Sequence, residues 1–173
     1  MKKRLLLFVM AVFLALPLFS QKYAYIDSEY ILGNMPEYTE AQAELDRVAA
    51  VWQKEIEAKF NTIDSMYKKY QVEAITLPES MKKNREDAII ATEKDAKDLQ
   101  KKRFGKDGDL FKKREELVKP IQDRVFTAID EYAREKGYAF VFDVAGAMTI
   151  VYADPKWDIN SEILQKLGIS VQK

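Results

Sequence analysis

The chain contains neither cysteine nor histidine among its 173 residues. Without cysteine there is no disulfide staple and no thiolate nucleophile, so apolar burial alone must hold the fold. A lipid anchor attached through a cysteine is not expected either. Without histidine the commonest general base near neutral pH is lost, and with both residues missing a soft or imidazole metal site is excluded. Proline (5) and glycine (6) are scarce, which leaves few places where a helix has to stop. An excess of one charge is also lacking, since 28 Lys and Arg stand against 28 Asp and Glu. A general polyanion binder would be strongly basic, so nucleic acid is not expected as a principal partner.

One long apolar run is present, at the start. Lys2, Lys3 and Arg4 precede fifteen apolar residues, Leu5 to Phe19, broken near the end by Pro17 and followed by Ser20-Gln21-Lys22. The run falls short of the roughly 18 to 20 residues that cross a bilayer, and its basic flank predicts a secretory signal peptide over residues 1–20. No later stretch is apolar enough to span. The processed chain would hold 153 residues, one domain with or without an appendage, and would keep 25 basic against 28 acidic residues.

What fills the middle is helix. Pro36 suits a first helical turn, with Glu37 and Glu40 near the positive end of the dipole. From there Leu45, Val48, Trp52, Ile56, Phe60, Ile63, Tyr67 and Tyr70 recur at steps of three and four, one stripe along a helix from residue 36 to about 73. Such a helix is about 55 Å long at ~1.5 Å per residue, longer than a small domain is wide, so it must project. Leu77-Pro78 turns the chain. A charged return helix runs from Glu79 to Phe104, with a thin stripe through Met81, Ala88, Ile89, Ala96 and Leu99. Phe104 to Gly108 interrupts the pattern. Helix resumes through Leu110, Leu117, Ile121, Val125, Ile129 and Tyr132, with Pro120 implying a kink or fresh start and Gly137 a left-handed cap.

The ends of the chain read as strand. Tyr23 to Asp27 is a β-favouring run with apolar residues on both faces, as in a strand covered on both sides. Tyr138–Asp143 and Met148–Tyr152, separated by Ala145-Gly146-Ala147, read as a hairpin. Asn160 can cap a closing helix through Leu167. The first strand has no local partner, so the distant hairpin must complete it. The expected class is α+β: a small sheet base from residues 21–35 and 105–173, with an antiparallel helical arm, 36–104, inserted into it and turning near 74–79.

Catalytic constellations are poor. Asp107-Gly-Asp109 with Glu115 and Glu116 resembles a calcium loop only loosely, because the glycine at the sixth position and the regular oxygen spacing are missing. Gly105-Lys106 lacks a phosphate-loop pattern. Pairs such as Glu55 and Lys59, or Glu93 and Lys97, are helix support worth a few tenths of a kcal/mol. Neither an enzyme nor a cofactor is expected. Trp52, Ile56 and Phe60 read as packing of the arm's stem or of a subunit interface.

Several segments together carry a resemblance: Tyr25-Ile-Asp-Ser-Glu-Tyr-Ile-Leu32, Pro36-Glu-Tyr38, Trp52-Gln-Lys-Glu-Ile56, Leu110-Phe-Lys-Lys-Arg-Glu-Glu-Leu117, Pro120-Ile-Gln-Asp123, Lys136-Gly-Tyr138 and Tyr152-Ala-Asp-Pro155. In this order, over nearly all of the processed chain, they resemble the Skp/OmpH family of periplasmic chaperones. The resemblance implies a periplasmic homotrimer in which three sheets form a small barrel. Three arms would enclose a cavity for unfolded outer-membrane proteins, without ATP. Tyr23, Tyr25, Phe140, Phe142, Ile150 and Tyr152 would then form the oligomer base. Met66, Tyr67, Tyr70, Val72, Ile75, Leu77 and Met81, crowded where there is little partner surface, would meet clients, since methionine and tyrosine accept many sequences weakly. Transient contact with membrane lipid or lipopolysaccharide would follow too, although this chain is near neutral where the best-known members are strongly basic. The competing class is a structural or adaptor coiled-coil protein of the envelope.

Overall fold

The computed structural model of the chain describes residues 21–146 and 150–170. The expected signal peptide, and Met148 and Thr149 of the expected hairpin, lie outside the described residues. Strand β1, Lys22–Ile26, leads into helix α1, Ser28–Gly33. Asp27 starts α1 by accepting a hydrogen bond from the Tyr30 amide at 2.9 Å, an N-cap that satisfies one orphan donor of the first turn. Helix α2 then runs 38 residues, Pro36–Glu73, with proline at its first position. After a turn at Ala74–Pro78 the chain returns as α3, Glu79–Phe104, and continues as α4, Asp109–Lys136. Gly137 closes α4 in the left-handed conformation, φ 69°, as its position predicts. Strand β2, Tyr138–Asp143, a single turn of 3-10 helix at Pro155–Trp157 and helix α5, Asn160–Lys166, complete the order. The class is α+β, dominated by long helices beside a very small sheet.

Three expectations change in detail. Of the two readings of Pro120, a kink or a fresh start, the fresh start is not realised: α4 is continuous across it, with the proline on the exposed side, where water can serve the carbonyl that loses its partner. The hairpin is absent from the described residues. Instead β1 and β2 pair in parallel, Tyr23 with Phe140, Ala24 with Val141, Tyr25 with Phe142 and Ile26 with Asp143, and Ile150–Tyr152 is not in a strand. Parallel pairing needs a long crossover, and the whole arm provides it. The far edge of β1 is taken by a bridge to Asp158 and by the Ile159 amide, which donates to the Tyr25 carbonyl at 3.1 Å.

Asn160 is the third change. It lies inside α5, buried to 8 % exposure, and its side-chain oxygen accepts from the Asp27 backbone amide at 2.7 Å. Its own amide donates to Asp158 at 2.7 Å. The side chain expected to cap its own helix therefore ties that helix to the end of β1, 133 residues away in the chain.

Apolar packing falls into two separate clusters. In the base, Ala24 and Ile26 on one face of β1 meet Ile31, Met35, Val118, Val125, Ile163 and Leu164. The first turns of α2 join this cluster through Ala41 and Leu45, so α2 is rooted in the base before it projects. Each of the fully buried aliphatic side chains stabilises by about 1.5–3 kcal/mol relative to exposure. Further out, Ile63, Ile89 and Ala96 pack the arm, with Met66 and Tyr70 against them.

Candidate functional site

The arm is an antiparallel helix pair whose cross-links step in opposite directions along α2 and α3. Arg103 pairs with Glu55 at 3.4 Å, the Tyr67 hydroxyl donates to Glu93 at 2.9 Å, the Tyr70 hydroxyl donates to Glu86, and Arg85 lies 3.3 Å from Glu73. The two tyrosines thus act as rungs: each phenol meets a carboxylate on the opposite helix, and the Tyr70 ring also packs on the arm's apolar cluster. Both phenols are pushed above 10.0, chiefly by these hydrogen bonds, because a carboxylate neighbour disfavours the phenolate.

Of the seven tip residues, Met66 and Tyr70 pack on the arm's apolar cluster, and Leu77 is half-buried in the turn. Tyr67 keeps 40 % exposure. Val72, Ile75 and Met81 stand out into solvent at 78, 89 and 46 %. All three lie in or beside the turn between α2 and α3. Ile90, which the sequence argument did not single out, is also 61 % exposed. It follows the buried Ile89 directly, so only one of the two isoleucines can face α2, a point the helical period could have shown.

The six base residues also converge. In the parallel register Tyr23 and Tyr25 lie beside Phe140 and Phe142, on the face of the sheet opposite Ala24 and Ile26. Tyr23, Tyr25, Phe142, Ile150 and Tyr152, with Trp157, line one cavity of about 530 Å³. The rings are ordered against each other, Tyr23 on Trp157 at 5.3 Å and Phe140 on Phe142 at 6.2 Å. Within the single chain this face is open, with Tyr23 at 51 %, Phe140 at 57 % and Tyr152 at 79 % exposure. One side of β1 is therefore covered by the chain's own helices, and among the described residues the other is covered only in part, by Trp157 and the Ile150–Tyr152 segment. Tyr25 is raised above 10.0 mainly by burial, with Asp158 and Asp154 adding to it.

At the root of the arm Trp52 packs the stem, as expected, within a junction whose other members, Arg103, Phe104 and Asp109, the sequence did not point to. The Arg103 guanidinium stacks on Trp52, 4.6 Å from the ring centre, and bonds Asp109 at 2.7 Å. Phe104 meets Trp52 edge-on at 6.4 Å. The two glycines of the interruption are required there, since a Cβ on Gly108 would lie 2.8 Å from the Lys102 carbonyl oxygen and one on Gly105 would collide with that of Lys101. Asp109, considered above for a calcium loop, is thus engaged with an arginine.

The chain thus combines an arm rooted in the base, with exposed apolar residues at its far end, and an aromatic face on a small parallel sheet. The family model for outer membrane protein (OmpH-like) matches residues 22–167. The chain belongs to the OmpH-like family. The match spans base and arm alike, so the OmpH-like unit is the whole described architecture rather than one piece of it. A protein of Aquifex aeolicus to which no role is assigned is 28% identical over 149 residues, covering 86% of this chain and 87% of its own. Among solved structures, an OmpH-like protein of Caulobacter crescentus CB15, titled as a candidate outer membrane chaperone, superposes with a TM-score of 0.67. It is 12% identical and covers 89% of both chains, a likeness of fold.

Proposed function

We propose that this OmpH-like chain is an ATP-independent holdase of the periplasm, keeping unfolded outer-membrane proteins from aggregating between helical arms. The observation that carries the reading is the far end of the arm. Val72, Ile75 and Met81 expose apolar surface about 33 Å beyond Trp52, at ~1.5 Å per helical residue, where the fold gains nothing from them. Exposed apolar groups on a long lever offer weak, undirected contact, which suits clients of many sequences. The seven tip residues, Met66, Tyr67, Tyr70, Val72, Ile75, Leu77 and Met81, are the contact set, the outer ones directly and the rungs by shaping the surface.

The open aromatic face on Tyr23, Tyr25, Phe140, Phe142, Ile150 and Tyr152 supports a homotrimer joined through the base, because a soluble monomer gains nothing by leaving so many rings in water. Transient contact with membrane lipid or lipopolysaccharide belongs to the same proposal through the exposed apolar tip rather than through charge, since Lys68, Lys69, Lys82 and Arg85 are paired with Asp64, Glu73 and Glu79. An adaptor holding one fixed partner is the competing reading. Several unrelated outer-membrane β-barrels, each diluted from denaturant, separate the two by turbidity. A holdase suppresses aggregation of all of them at near-stoichiometric amounts without nucleotide. Protection of none of them overturns the proposal.

A further inference from the structure

We infer that Arg103 is a positioning residue that fixes the angle of the arm on the base. The inference rests on the holdase reading only for its consequence, since the angle would set how wide a space the arms enclose.

The two legs of the arm leave the base differently. Helix α2 passes without a break from the base core at Ala41 and Leu45 to the arm core at Ile63. The return leg is interrupted at Gly105 to Gly108, between α3 and α4. An arm hung from one continuous helix and one glycine joint changes its pitch when α3 slides along α2, because such sliding is taken up at the joint. The two apolar clusters do not meet across this zone, and between Leu45 and Ile63 the only buried aliphatic side chain of α2 is Ile56, so aliphatic packing alone offers little resistance to the slide.

Arg103 is the group that does. It is the last arginine of α3, only 24 % of its side chain is exposed, and it touches all three elements that meet at the root. On α2 it stacks over Trp52 and reaches Glu55; on α4 it bonds Asp109, the first residue of that helix. A planar fork with several donors can hold a carboxylate on each side while its face rests on a ring, which a lysine ammonium cannot do. The Nε atom is buried and finds no acceptor among the described residues. That is a cost the stack and the two carboxylates must outweigh, and it ties the side chain to one placement. Because the tip lies about 33 Å from the root, a ~10° change of pitch at the junction moves it by ~6 Å.

A chain without cysteine makes the test clean. Single cysteines at Ser80 near the tip and Ser161 on α5 accept spin labels, and labelled chain is diluted with unlabelled chain so that pairs within one copy dominate. The distance distribution between them is measured in the wild-type background, in Arg103→Met and in Arg103→Lys. We expect a narrow distribution for wild type and one broadened or shifted by several ångströms, the ~6 Å scale of the lever, for Arg103→Met, with Arg103→Lys between. Should Arg103→Met fail to fold, Glu55→Gln with Asp109→Asn, which keeps the stack and removes the anions, carries the same expectation. An unchanged distribution in a folded variant overturns the inference, even if its melting temperature falls, because that outcome describes a residue that only stabilises. No client enters this measurement, so failure of the holdase reading and failure of the latch are read separately.

Discussion

At the scale of single residues, the base is held by side chains that bridge distant parts of the chain. Asp143 accepts from the Ser28 and Ala145 amides at 3.1 and 3.0 Å, and Asn160 accepts from Asp27, so β1, β2 and α5 are fastened at one corner. Phe140 presents a sharper question. It is 57 % exposed in the single chain, so replacing it with aspartate costs a monomer little. Buried between copies, an unpaired carboxylate costs several kcal/mol. Phe140→Asp is therefore expected to yield a folded species of one-chain mass by light scattering; an unchanged assembly mass would remove the aromatic face from the interface. Lys166 bonds Glu135 at 2.8 Å and Glu131 at 3.1 Å, clamping α5 to α4. The hydrogen bond holds Glu135 below its ordinary 4.5 and raises Lys166 above 10.5. A lowered carboxylate stabilises above its unfolded value and stops doing so as pH falls through its folded one. The melting-temperature gap between wild type and Glu135→Gln should thus be steady near neutrality and close below about pH 4.5. A gap indifferent to acid would mean that the clamp contributes nothing.

At the scale of elements, the long helices and the two paired strands were legible, while the parallel direction of their pairing was not. The steps of three and four from Leu45 to Tyr70 fixed α2, and Pro78, Gly105 and Gly137 punctuated the rest, because helix period and breakers are local signals. Strand direction is not local. Tyr138–Asp143 pairs in parallel with a strand more than a hundred residues earlier, and no short-range pattern distinguishes that from a hairpin. The same applies to side-chain partners: Asn160 looked like a cap because Asp27, its true partner, lies far off in sequence, and Arg103 looked like one more charge on a charged helix. At the tip, both Tyr67 and Tyr70 were legible as members of the α2 stripe, while their carboxylate partners on α3 were not. The exposed set suggests a specific test. Val72, Ile75 and Met81 changed together to Ser are expected to weaken binding of a labelled unfolded barrel about tenfold or more, ~1.4 kcal/mol. Moderate salt should change it by less than about threefold, since near-balanced charge gives little attraction for screening to remove. Steep salt dependence with no effect of the three serines would contradict apolar capture.

At the scale of the whole molecule, stability and holding belong to different parts. The base carries the larger apolar cluster and the fastened corner, while the arm beyond Ile56 is stapled by its own small cluster and its tyrosine rungs. Among the described residues the arm's outer apolar cluster is separate from that of the base, so removing that half should leave the base intact. The measurement that bears most directly on the central claim is therefore made on a chain lacking Asn61 to Lys94, closed by a short turn that keeps the Arg103 junction. Its mass by light scattering and its suppression of β-barrel aggregation are read side by side with those of the full arm. The account predicts the same assembly mass and loss of protection, whereas full protection by the shortened chain would contradict it.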